Sequence, residues 1–132
     1  MLVSRRDGRL LLIEQNEHGR LSGELCAHWG NELFSRPPHR ASAQIAAATH
    51  DDGWLEADDT PLFNRDEGRP LHFLEIDMQD HVPLYGRGVE RVYRRDLYAG
   101  LLVSMHWTGL YRRRWGEQRG GVFVHREGAT AA

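Results

Sequence analysis

Lysine is missing from this chain: all 17 basic residues are arginine. The plainest source of that bias is base composition in the coding DNA. The functional reading is that some arginines grip phosphate or carboxylate in bidentate fashion, which a planar guanidinium does and an ammonium group does not. Cysteine is almost missing too. The single Cys26 cannot close an intramolecular disulfide, which excludes a disulfide-stapled secreted scaffold. Long apolar runs are absent, and none approaches the roughly 20 residues that a membrane-spanning helix needs. The first seven residues, Met1-Leu2-Val3-Ser4-Arg5-Arg6-Asp7, lack the apolar stretch of a signal peptide. We therefore expect a cytoplasmic protein with no membrane partner. Charge of one sign is not in excess either. A net charge of -2, with 27% charged residues, excludes an acidic disordered tail and gives no basic footprint for nucleic acid.

What is present fits one core. A length of 132 residues, 40% of them hydrophobic, is the size of a single domain. The unusual number is eight histidines, and their positions matter more than their count.

The chain opens with a hairpin pattern. Leu2-Val3-Ser4 and Leu10 to Ile13 flank Asp7-Gly8, a tight-turn dipeptide. Helical spacing begins near Glu14: Leu21, Leu25, Trp29 and Leu33 recur every four residues and predict an apolar face, with His18 extending it and His28 beside it. Gly19 and Gly23 lower helix propensity, or else permit close approach of another helix. Pro37-Pro38 ends the element. An Ala-rich helix follows from about His39 to Asp51, broken by Asp52-Gly53 before Trp54. Residues 55–70 read as a long polar connection, and 71–78 fit a short helix or a strand equally well. After Pro83 and Gly86-Arg87-Gly88, the spacing predicts one long helix over Val89 to Tyr111, with Val89, Val92, Tyr93, Leu97, Leu101, Met105 and Leu110 on one face. Beyond Arg112-Arg113-Arg114 the composition changes. We divide the chain into a helical domain, 1–111, and an irregular C-terminal tail, 112–132, where it reads as truncated. The expected fold is mainly α, a helical bundle with a small N-terminal β-hairpin.

The chemistry concentrates at Thr49-His50-Asp51-Asp52-Gly53-Trp54. His50 followed directly by Asp51 places an imidazole and a carboxylate at one helix end, a mixture that divalent metals accept. Adjacent residues cannot enclose an ion, so a third ligand must come from another element. His18, on the preceding helix, is the natural candidate. An isolated His-Asp pair is more often a hydrogen-bonded helix end; the upstream helical His and the Asp-Gly-Trp exit turn the balance here. A ferritin-like di-iron bundle does not fit. It needs Glu-x-x-His, whereas Glu14 to His18 and Glu24 to His28 are four apart.

His18, the Ala-rich helix and His50-Asp51 together resemble the HD-domain superfamily of metal-dependent phosphohydrolases. Still closer is the resemblance to an uncharacterised bacterial family known as a domain of unknown function. It is carried by Gln15 to Gly23, Trp29-Gly30-Asn31, His50 to Trp54, and Tyr98 to His106. The resemblance implies an HD-like helical domain holding a metal through the first His and the His-Asp pair. HD proteins add an Asp from a later helix; none follows Asp96 in this chain. His106 and His81 are the candidates to replace it. Asp52 is the candidate catalytic residue, as a base for metal-bound water or an acceptor that fixes an imidazole tautomer. Arg20 and Arg87 are candidates to hold an anionic substrate; the commoner role for each is a solvated surface arginine.

The activity implied is hydrolysis of a nucleotide or another small phosphorylated substrate. The ion would lower the pKa of bound water and polarise a phosphoryl oxygen. Zn, Mn, Fe and Mg all fit, with the histidines favouring a transition metal. The alternatives are an HD-type di-iron oxygenase, with His81 and His106 as ligands, a non-catalytic metal-binding or ligand-sensing module, and a plain helical domain with structural histidines.

Overall fold

The computed structural model describes residues 1–111; the tail at 112–132, with its basic run and His125, lies outside the described residues. The fold is mainly helical with an N-terminal hairpin, as expected. Strands β1 (Leu2–Arg6) and β2 (Arg9–Ile13) pair antiparallel, Leu2 opposite Ile13 and Arg6 opposite Arg9. Asp7 and Gly8 make the connection at φ 50° and 75°. Two consecutive positive φ values are what a two-residue hairpin turn demands, and Asp-Gly supplies them cheaply.

Helix α1 (Gln15–Ala27) and helix α2 (Arg40–Thr49) pack against each other. Their contact corrects the expected leucine face. The buried residues of α1 are Gln15, Gly19 and Gly23, whereas Leu21 and Leu25 are exposed, as are Trp29 and Leu33 beyond the helix end. The reason is proximity. A Cβ on Gly23 would lie 2.6 Å from the Cβ of Ala48, and one on Gly19 2.8 Å from the Ala48 carbonyl oxygen. Small residues on both helices let the backbones meet, and leucines could not fit between them.

After α2 the chain makes a 3-10 turn at Asp52–Trp54 and a short helix α3 (Leu55–Asp59). The expected polar connection at 55–70 thus holds α3 and a second small hairpin, β3 (Phe63–Asn64) with β4 (Arg69–Pro70). Its turn is organised by the Asn64 side chain, which accepts from the backbone N–H groups of Asp66 and Glu67, both at 3.1 Å. Residues Phe73–Glu75 form a 3-10 turn, clamped by Arg69, whose guanidinium reaches both Glu75 carboxylate oxygens at 2.6 and 2.7 Å.

The single long helix expected over 89–111 is two helices, α4 (Met78–Arg95) and α5 (Leu97–Leu110). Helix α4 starts earlier than expected and carries Pro83 within it. The break falls at Asp96. Its carboxylate accepts from the Ala99 backbone N–H at 2.8 Å and from the Ser42 hydroxyl at 2.9 Å. An Asp in extended conformation satisfies the orphan donors of a new helix start, and here it also ties that start to α2. The inward face of α5 is Ala99, Gly100, Val103 and Trp107, not Leu97, Leu101 and Met105, which are exposed. Small residues again win, because Gly100 meets the Tyr93 ring directly. The core gathers Ala46, Trp54, Leu84, Tyr85, Val92, Val103, Trp107 and Tyr111.

Candidate metal centre

Helix α2 ends at Thr49 and its C-cap is His50, so the His-Asp pair leaves the helix with its side chains free to turn. Asp51 is buried, at 4% exposure. His18 reaches the same spot from α1 because the glycine face brings that helix against α2. His18 Nδ1 lies 3.2 Å from Asp51 Oδ2, and His50 Nε2 lies 3.5 Å from the same oxygen. The two imidazoles meet edge to face at 5.0 Å between centroids. One ligand atom from each of His18, His50 and Asp51 lies within 4.8 Å of the others.

The surroundings orient these groups. His50 Nδ1 lies 2.8 Å from the Ala47 carbonyl oxygen. Donation there leaves Nε2 as the lone-pair nitrogen facing Asp51, which is how backbone carbonyls set the tautomer of a ligating histidine. The buried Gln15 amide donates to Asp51 Oδ2 at 3.4 Å. The Gln15 backbone N–H donates to Asp58 Oδ2 at 2.6 Å, so a buried carboxylate serves as the cap of α1. Burial raises the Asp51 pKa, and the neighbouring His50 and His18 oppose that shift.

The donor set suits a metal ion. Ligands about 2 Å from one ion stand no more than about 4 Å apart, so the cluster needs only a small side-chain adjustment. The set of two imidazoles and one carboxylate is of the kind that zinc and other transition ions take. His18 is the exposed member and Asp51 the buried one, so the site opens to solvent on the α1 side.

The other expected residues are placed as follows. His106, on α5, packs its ring against His50 at 5.0 Å between centroids, beside the cluster and outside the three that converge. Burial lowers its pKa, helped by His50 and His18. The structure does not bring His81 to the cluster. His81 is fully buried, with Nε2 2.9 Å from the Tyr85 hydroxyl and Nδ1 3.1 Å from the Tyr111 hydroxyl. Trp54 Nε1 donates to the Tyr85 oxygen at 2.8 Å, so the indole, both phenols and the imidazole form one buried polar network. Asp52 is half-buried beside α4. Burial raises its pKa, opposed first by Arg91 and Arg95 and then by His50. Arg20 is exposed and paired with Glu17 at 2.7 Å. Arg87 is paired with Glu56 at 3.6 Å. The residues that sequence reasoning missed are Gln15 and Asp58, whose partners stand 36 and 43 positions away and leave no local signal.

Beside the cluster runs a groove of about 330 Å³ lined by Ser22, Ala46, Ala47, His50, Leu102, Val103 and His106. The floor is the alanine face of α2 and the walls are α1 and α5.

Fold and cluster together define a small, mainly helical domain with a His-His-Asp site that could hold a divalent ion. The chain belongs to the family described as "Protein of unknown function (DUF3891)", which matches residues 1–131 and so takes in most of the tail set apart above. No curated protein and no solved structure matches the chain. No helix among the described residues is long and apolar enough to cross a membrane.

Proposed function

We propose that this protein is a metal-dependent hydrolase that holds a divalent transition metal at His18, His50 and Asp51 and cleaves a small phosphoester. The observation that carries this reading is the convergence of three donors from two elements on one point, with the carboxylate buried and the imidazoles at its open side. Three protein ligands leave coordination positions for water and substrate, the pattern of catalytic rather than structural sites. A divalent ion in such a site lowers the pKa of water and polarises a phosphoryl oxygen.

The phosphoester class rests on the resemblance of the His18 and His50-Asp51 arrangement to HD-type phosphohydrolases. Hydrolysis forms a P–O bond to the water oxygen and breaks the ester P–O bond, and the departing alcohol takes up a proton. Among the chain's own residues, Asp51 holds the two imidazoles in register, Gln15 steadies Asp51, and His106 stands at the groove side of His50 to exchange a proton at its imidazole. Asp52 is outside the three groups that converge, which makes it the weaker candidate for that task.

A second reading, a metal-binding module without catalysis, is favoured by one observation. The arginines expected to hold substrate, Arg20 and Arg87, are occupied by Glu17 and Glu56. A di-iron site finds less support, since it needs His81 as a ligand and both ring nitrogens of His81 face tyrosine hydroxyls.

Elemental analysis of the purified protein beside His18→Ala, His50→Ala and Asp51→Ala tests the site. We expect a transition metal approaching one ion per chain in the wild type and loss in each variant. Equal, negligible metal in all four would sink the proposal. Metal binding without metal-dependent turnover of aryl or nucleotide phosphoesters would move the assignment to the second reading.

A further inference from the structure

Among the described residues, no carboxylate or arginine lines the groove beside the cluster; its polar side chains are Ser22, His50 and His106. Its other lining residues are Ala46, Ala47, Leu102 and Val103. The Ser22 hydroxyl already donates to the His18 carbonyl at 3.0 Å. One turn on from Ser22 and Leu102, the exposed Leu25 and Met105 extend the rim with more apolar surface. Of the four α4 arginines, Arg87 and Arg91 pair with Glu56 and Arg94 with Glu90, and all four, Arg95 included, line a separate recess and not this groove.

A nucleotide needs edge-on hydrogen-bond partners for its base and hydroxyl partners for its sugar. The groove's described lining offers few: the two imidazoles and the Ser22 hydroxyl, which already donates to the His18 carbonyl. Small-molecule sites are mostly apolar clefts of about 300–1,000 Å³ with a few placed polar groups, and a groove of about 330 Å³ falls at the small end of that range. Since an enclosed cavity of about 150 Å³ holds a benzene ring, there is room here for a substituted ring or a short alkyl chain. His50 belongs both to the groove and to the cluster, so a ligand lying in the groove would present its polar end to His18, His50 and Asp51.

We propose that the groove binds the uncharged apolar half of an aryl or alkyl phosphomonoester and does not accept a nucleotide. The placement of the phosphoryl end rests on the hydrolase reading above; the apolar specificity of the groove stands on its own lining.

The test is a titration of the full chain, with and without bound Zn²⁺, using phenylphosphonate, methylphosphonate and adenosine monophosphate, followed by NMR of the groove methyl groups. Burying a phenyl ring should make phenylphosphonate bind about tenfold tighter than methylphosphonate or better, and should shift the methyls of Ala47, Leu102 and Val103. Leu102→Gln makes the wall polar and Leu102→Ala strips it; each should erase the phenyl preference while leaving the zinc content unchanged. Equal affinity for the two phosphonates, tighter binding of the nucleotide, or a phenyl preference that survives both substitutions would overturn the inference. A phenyl preference in a wild-type chain that holds no transition metal would uphold the groove and overturn the hydrolase reading alone.

Discussion

His81 sits at zero exposure between two tyrosine hydroxyls, and burial brings its pKa down to about 4. A neutral ring sets one N–H and one lone pair between the two hydroxyls; an imidazolium would donate at both nitrogens and bring a charge into the core. The unfolded chain takes up this proton near pH 6.5, the folded one only near pH 4. Stability from this group is therefore complete above about pH 6.5 and is lost as the pH falls toward 4, by roughly 3 kcal/mol in all. Urea unfolding of wild type and His81→Phe at pH 7 and pH 4.5 should show the variant less stable at pH 7 but flatter across the interval; parallel pH dependences would refute the assignment. At this scale the sequence was legible where chemistry is local. His50-Asp51 stood out as a dipeptide, and the expectation of a partner on another element pointed to His18, whose Nδ1 lies 3.2 Å from Asp51. The burial of His81, and the support that Gln15 and Asp58 give, depend on packing between distant segments, which no local pattern encodes.

Elements meet here through small residues. Ala in place of Gly normally stabilises a helix interior by up to about 1 kcal/mol. Gly86 should follow that rule, because a Cβ added there would meet no described atom within 4 Å. Gly23 should do the opposite. Its new methyl would fall 2.6 Å from Ala48 Cβ, and overpacking of this kind costs about 1–3 kcal/mol. Gly23→Ala should also spread α1 from α2, pulling His18 off Asp51, so metal affinity should fall along with the melting temperature. Gly86→Ala should leave metal affinity unchanged and raise the melting temperature. Two variants that move together would contradict the picture. The hairpin and α2 were readable because Asp-Gly and an alanine run act locally. The leucine stripes misled because four-residue spacing marks an apolar face without saying that the face is covered. Asp96 looked like an interior position of a long helix, since its capping role shows only once Ser42 and Ala99 are beside it.

For the molecule as a whole, the mainly α class and the hairpin were legible from composition and periodicity, and the match over residues 1–131 agrees with a family resemblance visible in the motif order. What the periodicity counted as core is instead distributed over the outside: Leu21, Leu25, Leu97, Leu101 and Met105 all stand more than 40% exposed. That surface has a colloidal consequence. With 17 arginines against 19 acidic residues the net charge is only -2, and it reaches zero near pH 6.4. Electrostatic repulsion between molecules then vanishes in the same range where the leucines remain uncovered, and both conditions promote association. Light scattering of the purified protein should peak between about pH 6 and 7 and decline toward pH 8.5, where the carboxylates again outnumber the cations.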